Sequence, residues 1–74
     1  MNETTVTDYA PQTLLAKRME LGMSRGQLEQ AVGAKYGDAA RWEAGTKGIP
    51  VEIFKRLAFM FHCDAADLMT GGKT

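Results

Sequence analysis

Cysteine is almost absent from this 74-residue chain. Cys63 stands alone, so no disulfide can form within it. Histidine is as scarce, and His62 is the single one. With no other ligands close by, His62-Cys63 makes a poor metal site, and no serine, histidine and acid set for nucleophilic catalysis can be assembled. Net charge is missing too. Nine basic and nine acidic residues cancel, which argues against a polycation that coats nucleic acid regardless of sequence. A binder with only one basic face is still allowed. No long hydrophobic run occurs: the longest, from Leu57 to Phe61, is far too short to span a bilayer. The opening MNETTVTDYA lacks the basic and apolar regions of a signal peptide, so the expectation is a cytoplasmic protein with no membrane partner. A chain of this length makes one small domain, too small for a deep enzyme cleft. Without disulfides it must rest on helix packing, helped by a partner subunit. No enzyme activity, cofactor, metal or small-molecule ligand is expected.

What is present is helical periodicity. Residues 1–10 are polar, rich in threonine and negatively charged through Glu3 and Asp8, and read as a loose arm. Pro11 suits the start of a helix, and Leu14, Leu15, Met19 and Leu21 fall roughly on one face before Gly22 ends it. Ser24-x-x-Gln27 is a capping box that opens a second helix, with Leu28, Ala31 and Val32 as its buried stripe. Gly33 stops it. A third helix is expected from about Lys35 to Ala44, with Ala39 and Trp42 inward and Gly45 at its close. Pro50 begins a fourth, whose Phe54, Leu57, Ala58 and Phe61 have the spacing of a core face. His62-Cys63 makes a turn, and Asp64 caps a short fifth helix from Ala65 to Met69. No strand pattern appears. The expectation is an all-α, compact bundle of five short helices over residues 11–70, with a flexible arm before it and a frayed tail at 71–74.

Helices two and three, joined by a short glycine turn, form a helix-turn-helix, in which the first crosses the DNA backbone and the second enters the major groove. The third helix holds Lys35, Tyr36, Gly37, Asp38 and Arg41 on its outer side. That mixture can read bases. Arginine and lysine donate to guanine O6 and N7, an acid accepts from cytosine N4, and a tyrosine donates its hydroxyl to a phosphate or lays its ring on a thymine methyl. Gly37 costs about 1 kcal/mol of helix stability, tolerable where the backbone must approach a base edge. Plainer readings stand beside these. Lys35 and Arg41 serve as solubilising charges, Asp38 complements the helix dipole, and Gly37 is neutral. GTKG lacks the strand and the glycine pattern of a phosphate loop.

The pattern Leu21-Gly22-Met23-Ser24, Gly33, Trp42-Glu43-x-Gly45, Leu57-Ala58 and Asp67-Leu68-Met69-x-Gly71 resembles the Cro/cI-type helix-turn-helix proteins, the XRE-like family of lambdoid phage repressors and bacterial regulators. The resemblance covers about residues 12–71. It implies that Ser24 and Arg25 hold a phosphate at the start of helix two. It also implies that Thr46 and Lys47 touch phosphate from the following loop, and that Arg18 and Glu43 form a buried structural ion pair. One position departs from it: Glu29 stands where the family places a small residue. An unpaired buried carboxylate is costly. Either Gly37, Ala39 and Ala40 leave Glu29 a route to solvent or Arg41, or the helix pair packs atypically.

Charge distribution points the same way, though weakly. Residues 12–48 carry six cations against four anions, a net +2, while the arm carries −2. One recognition helix reads about four base pairs, too few for specificity in a genome, so a two-fold dimer is expected. Phe59, Met60, Cys63 and Ala66 are assigned to its interface; the alternative is that the N-terminal arm covers this part of helix four. The leading reading is a phage or mobile-element repressor that occupies a double-stranded DNA operator as a homodimer. The alternatives are an autoregulatory antitoxin with a protein partner and an interaction module that keeps the fold without DNA.

Overall fold

The computed structural model describes residues 5–69. A two-residue strand β1 (Thr5–Val6) precedes α1 (Pro11–Glu20), α2 (Arg25–Val32) and α3 (Asp38–Ala44). A second short strand, β2 (Ile49–Pro50), leads directly into α4 (Val51–Met60), and a 3₁₀ turn spans Ala65–Leu68. The described residues thus hold four α-helices rather than the five expected, together with a small antiparallel sheet in which Thr5 faces Pro50 and Val6 faces Ile49.

Local chemistry explains most boundaries. Pro11 sits in the first turn of α1, where its missing N–H costs nothing. The Ser24 hydroxyl accepts the Gln27 N–H at 3.1 Å, and the Gln27 side chain accepts the Ser24 N–H at 2.8 Å. That is the capping box read from the sequence. Pro50 lies just before α4 rather than within it. His62 has φ +57°, an uncommon left-handed turn for a residue with a side chain, at the place where a turn was expected. The last segment is too short for an α-helix and closes as the 3₁₀ turn, with the Asp64 N–H donating to the Asp67 carboxylate at 3.2 Å.

The core is built around Trp42, which is fully buried with Leu14, Leu28, Ile49, Leu57 and Leu68. The expected α4 face of Phe54, Leu57, Ala58 and Phe61 is buried as a set. The α1 face is narrower than expected, because Met19 and Leu21 are exposed. Met19 follows Leu14 by five residues, about 140° around a helix axis, and Leu21 lies beyond the helix end. Ala31, expected in the buried stripe of α2, is exposed, while Leu28 and Val32 are buried.

The loose arm needs the largest correction. Residues 1–4 and the tail at 70–74 lie outside the described residues, but residues 5–10 belong to the fold. Tyr9 is buried in the core, and its hydroxyl donates to the Lys47 carbonyl at 2.6 Å. Tyr9 also forms a bridge with Met69, and the Ala10 N–H donates to the Leu68 carbonyl at 2.7 Å. An aromatic ring with a polar tip buries well once that tip finds an acceptor. The segment therefore clasps both the loop after α3 and the C-terminal turn. It lies on β2 and leaves Phe59 uncovered.

Tyr9→Phe keeps the ring and removes the donor to Lys47. It is expected to lower stability by about 1 kcal/mol, measured as a shift of the urea unfolding midpoint at unchanged slope.

Candidate nucleic-acid interface

The helix pair α2 and α3 is joined by five residues, Gly33 to Gly37, rather than by one glycine turn. Gly33 has φ +78° and ends α2. The Arg56 guanidinium covers that end, donating to the Val32 carbonyl at 3.1 Å, and a Cβ on Gly33 would meet it at 3.0 Å. Gly37 has φ +91° and precedes the first helical residue, Asp38. The expected start at Lys35 is therefore three residues early. Between them the chain makes a reverse turn: the Asp38 N–H donates to the Lys35 carbonyl at 3.1 Å, and the Lys35 N–H donates to the Asp38 carboxylate at 3.2 Å.

Gly37 brings no side chain to cap α3, and Glu29 supplies the missing acceptor. Its Oε2 accepts the Gly37 N–H at 2.9 Å and the Ala39 N–H at 3.0 Å. Two otherwise unmatched donors at the helix head are satisfied by a carboxylate reaching across from α2, and the negative charge faces the positive end of the α3 dipole. Glu29 is buried and does not need the route to solvent or to Arg41 that the sequence suggested. The departure at this position is a cap borrowed from the neighbouring helix.

Asp38 is also buried, which corrects its assignment as a base reader. Its Oδ1 accepts the Lys47 ammonium at 2.7 Å and lies 3.6 Å from Arg41 Nη1, while Oδ2 accepts the Lys35 N–H. Burial pushes the carboxyl pKa upward, but the Lys47 bond, the Lys35 N–H and the charges of Lys47 and Arg41 outweigh it and hold it below the ordinary aspartate value. An ionised, fully engaged carboxylate is a poor acceptor for cytosine.

The expected Arg18–Glu43 pair is formed. Arg18 Nε meets Glu43 Oε2 at 2.7 Å, and Arg18 Nη1 also donates to the Met23 carbonyl at 2.8 Å, tying α1 to the α1–α2 turn. Glu43 holds a third member that the sequence did not reveal: Arg25 Nε is 2.9 Å from Oε1. Burial raises the Glu43 pKa, yet the bonds and charges of Arg18 and Arg25 bring it below the usual glutamate value. Arg25, assigned to phosphate, keeps a side chain 55% exposed. Ser24, assigned with it, is exposed but already accepts the Gln27 N–H. Thr46 is exposed, and its hydroxyl donates to the Arg41 carbonyl at 3.3 Å.

The outer side of α3 therefore presents Ala40, Arg41 and Ala44, while Ala39 and Trp42 are buried behind it. Lys35 and Tyr36 lie in the link at the head of the helix, and the Tyr36 ring is 95% exposed. Of the residues assigned to self-association, Phe59 is 83% exposed and Ala66 is exposed. Met60 and Cys63 are half-buried against the core. Burial, partly offset by Lys17, keeps the Cys63 thiol pKa above its ordinary value, so the protonated form is favoured. Among the described residues no group of three or more histidine, cysteine or acidic side chains could hold a metal, and no helix is long and apolar enough to cross a membrane.

Comparison with protein-family models, with curated proteins and with solved structures gives no match.

Glu29→Ala leaves the Gly37 and Ala39 donors without an acceptor in a buried place. It is expected to lower stability by about 2 kcal/mol, and Glu29→Gln, which retains one oxygen, by less. Thermal and urea unfolding of the two variants check the order.

Proposed function

We propose that the chain is a sequence-specific double-stranded DNA-binding regulator of the Cro/cI-like kind, acting as a repressor from an operator site. One observation carries the reading. Tyr36 in the link and Ala40, Arg41 and Ala44 on the outer side of α3 are exposed among the described residues, with Trp42 and Ala39 packed behind them. Seven residues make a rod about 10 Å long, the length of roughly three stacked base pairs.

Arg41 is the residue best suited to a guanine edge, since its guanidinium donates two parallel bonds. Tyr36 and the methyl groups of Ala40 and Ala44 suit thymine methyls. Lys35 stands beside them, and Gly37 lets the backbone pass close. Arg25 at the head of α2, with Ser24, Thr46 and Lys47 at the rim, suits phosphate oxygens. Asp38 is withdrawn from the base-reading set.

Phe59 supports a dimer. A large apolar side chain held out on α4 is expensive to leave in water, and a second copy would cover it together with Ala66, Met60 and Cys63. The same residue also favours a second reading, in which α4 faces an unrelated protein, as in an autoregulatory antitoxin. The ion pairs that occupy Arg25, Arg41 and Lys47 favour a third, an interaction module without DNA.

Selection from a pool of random duplexes separates these readings. The expected outcome is a two-fold symmetric motif with half-sites roughly 34 Å apart, centre to centre. Arg41→Ala is expected to relax one base position, costing about 1–3 kcal/mol there, while Arg25→Ala weakens all sequences alike. Recovery of no motif contradicts the proposal and favours the interaction module.

A further inference from the structure

The cations proposed to touch DNA are not equally available, and the difference lies in their acids. Arg25 shares Glu43 with Arg18, which binds the same carboxylate at 2.7 Å and is itself nearly buried. If Arg25 swings away, Glu43 keeps a close, well-formed partner. Arg41 and Lys47 have a different arrangement. Both point at one oxygen of Asp38, at 3.6 and 2.7 Å, and no other cation pairs with that carboxylate among the described residues. If both leave, a buried charge keeps only the Lys35 N–H. Breaking a buried pair by removing its partner is far more costly than losing an exposed one. The two side chains nonetheless remain 58% and 43% exposed, so they can be reached from solvent.

We infer that Asp38 acts as an electrostatic latch that withholds Arg41 and Lys47 from the phosphates of non-cognate DNA and thereby sharpens discrimination. The inference rests on the DNA-binding reading and adds a specificity role to a residue that reads no base. A phosphate in water offers Arg41 a screened, mobile contact. A guanine edge offers two fixed bonds in a site from which water is excluded. Only the second compensates for loosening Asp38. Arg25, whose release leaves Glu43 held by Arg18 at 2.7 Å, engages any duplex; release of Arg41 alone leaves Asp38 held by Lys47 at 2.7 Å, so the latch bears first on Lys47 and on Arg41 only when the two leave together.

The test uses a short duplex of arbitrary sequence and reads the slope of log affinity against log salt. Asp38→Asn keeps an oxygen for the Lys35 N–H and removes the charge. It is expected to steepen the slope by about 0.9 for each cation set free, one or two in all, and to tighten non-specific binding about tenfold at low salt. Lys47→Gln is expected to change the slope little in the natural chain, yet to remove about one unit of the gain in the Asp38→Asn background. Arg25→Gln is expected to flatten the slope by about one unit in either background. Circular dichroism checks the fold, and where Asp38→Asn does not fold, Lys47→Gln alone carries the test. An unchanged slope in folded Asp38→Asn overturns the latch alone, as does loss of a full unit on Lys47→Gln in the natural chain. Failure of the natural chain to bind any duplex at low salt overturns the latch together with the reading beneath it.

Discussion

The Glu29 carboxylate lies buried between α2 and the head of α3, and the geometry of the proposed DNA-facing side follows from it. It accepts N–H groups from both sides of Asp38, so the first turn of α3 is fixed in phase as well as in position. That phase turns Ala39 and Trp42 inward and Ala40, Arg41 and Ala44 outward. A side chain on the partner helix sets the angle at which α3 is offered, in a link of five residues that would otherwise be loosely defined. The left-handed Gly37 makes the arrangement possible, because a residue with φ +91° is strained in any other amino acid.

Charge in this protein is balanced locally as well as in total. The acids around the helix pair are matched one by one: Glu29 by backbone donors, Asp38 by Lys47 and Arg41, Glu43 by Arg18 and Arg25. A surface organised this way attracts a polyanion weakly at long range. On the proposed DNA-binding reading, affinity comes from contacts that replace the internal pairs at short range, an arrangement that fits selective binding better than coating.

Parts of this were legible in the sequence for clear reasons. The Ser24–Gln27 box, the α4 core face and the turn at His62 are local: each depends on residues within about two helical turns. The Arg18–Glu43 pair spans 25 positions and was implied by resemblance, not by spacing. The start of α3 was not legible, because it depends on an acceptor ten residues back in the chain, where Glu29 resembled an intrusion into a core. The Asp-after-Gly at 37–38 was the available signal, since glycine is tolerated before a helix and aspartate favours its first turn. The strand pair was hidden for another reason. Two residues cannot show an alternation, and the pairing of Val6 with Ile49 lies close to the Tyr9 hydroxyl's bond to the Lys47 carbonyl, a contact 38 positions apart in the chain. Tyr9 itself resembled part of a polar arm until a carbonyl in the α3–α4 loop gave its hydroxyl a partner.

The central claim is that Tyr36 in the link and the exposed side of α3, through Ala44, form the surface that meets a duplex. Backbone amide chemical shifts followed during titration with the tightest duplex recovered by selection test it most directly. The account predicts the largest changes at Tyr36, Ala40, Arg41 and Ala44, with smaller ones at Arg25 and Thr46. Saturable binding that leaves the α3 amides unmoved, with the changes gathered elsewhere on the molecule, would contradict it.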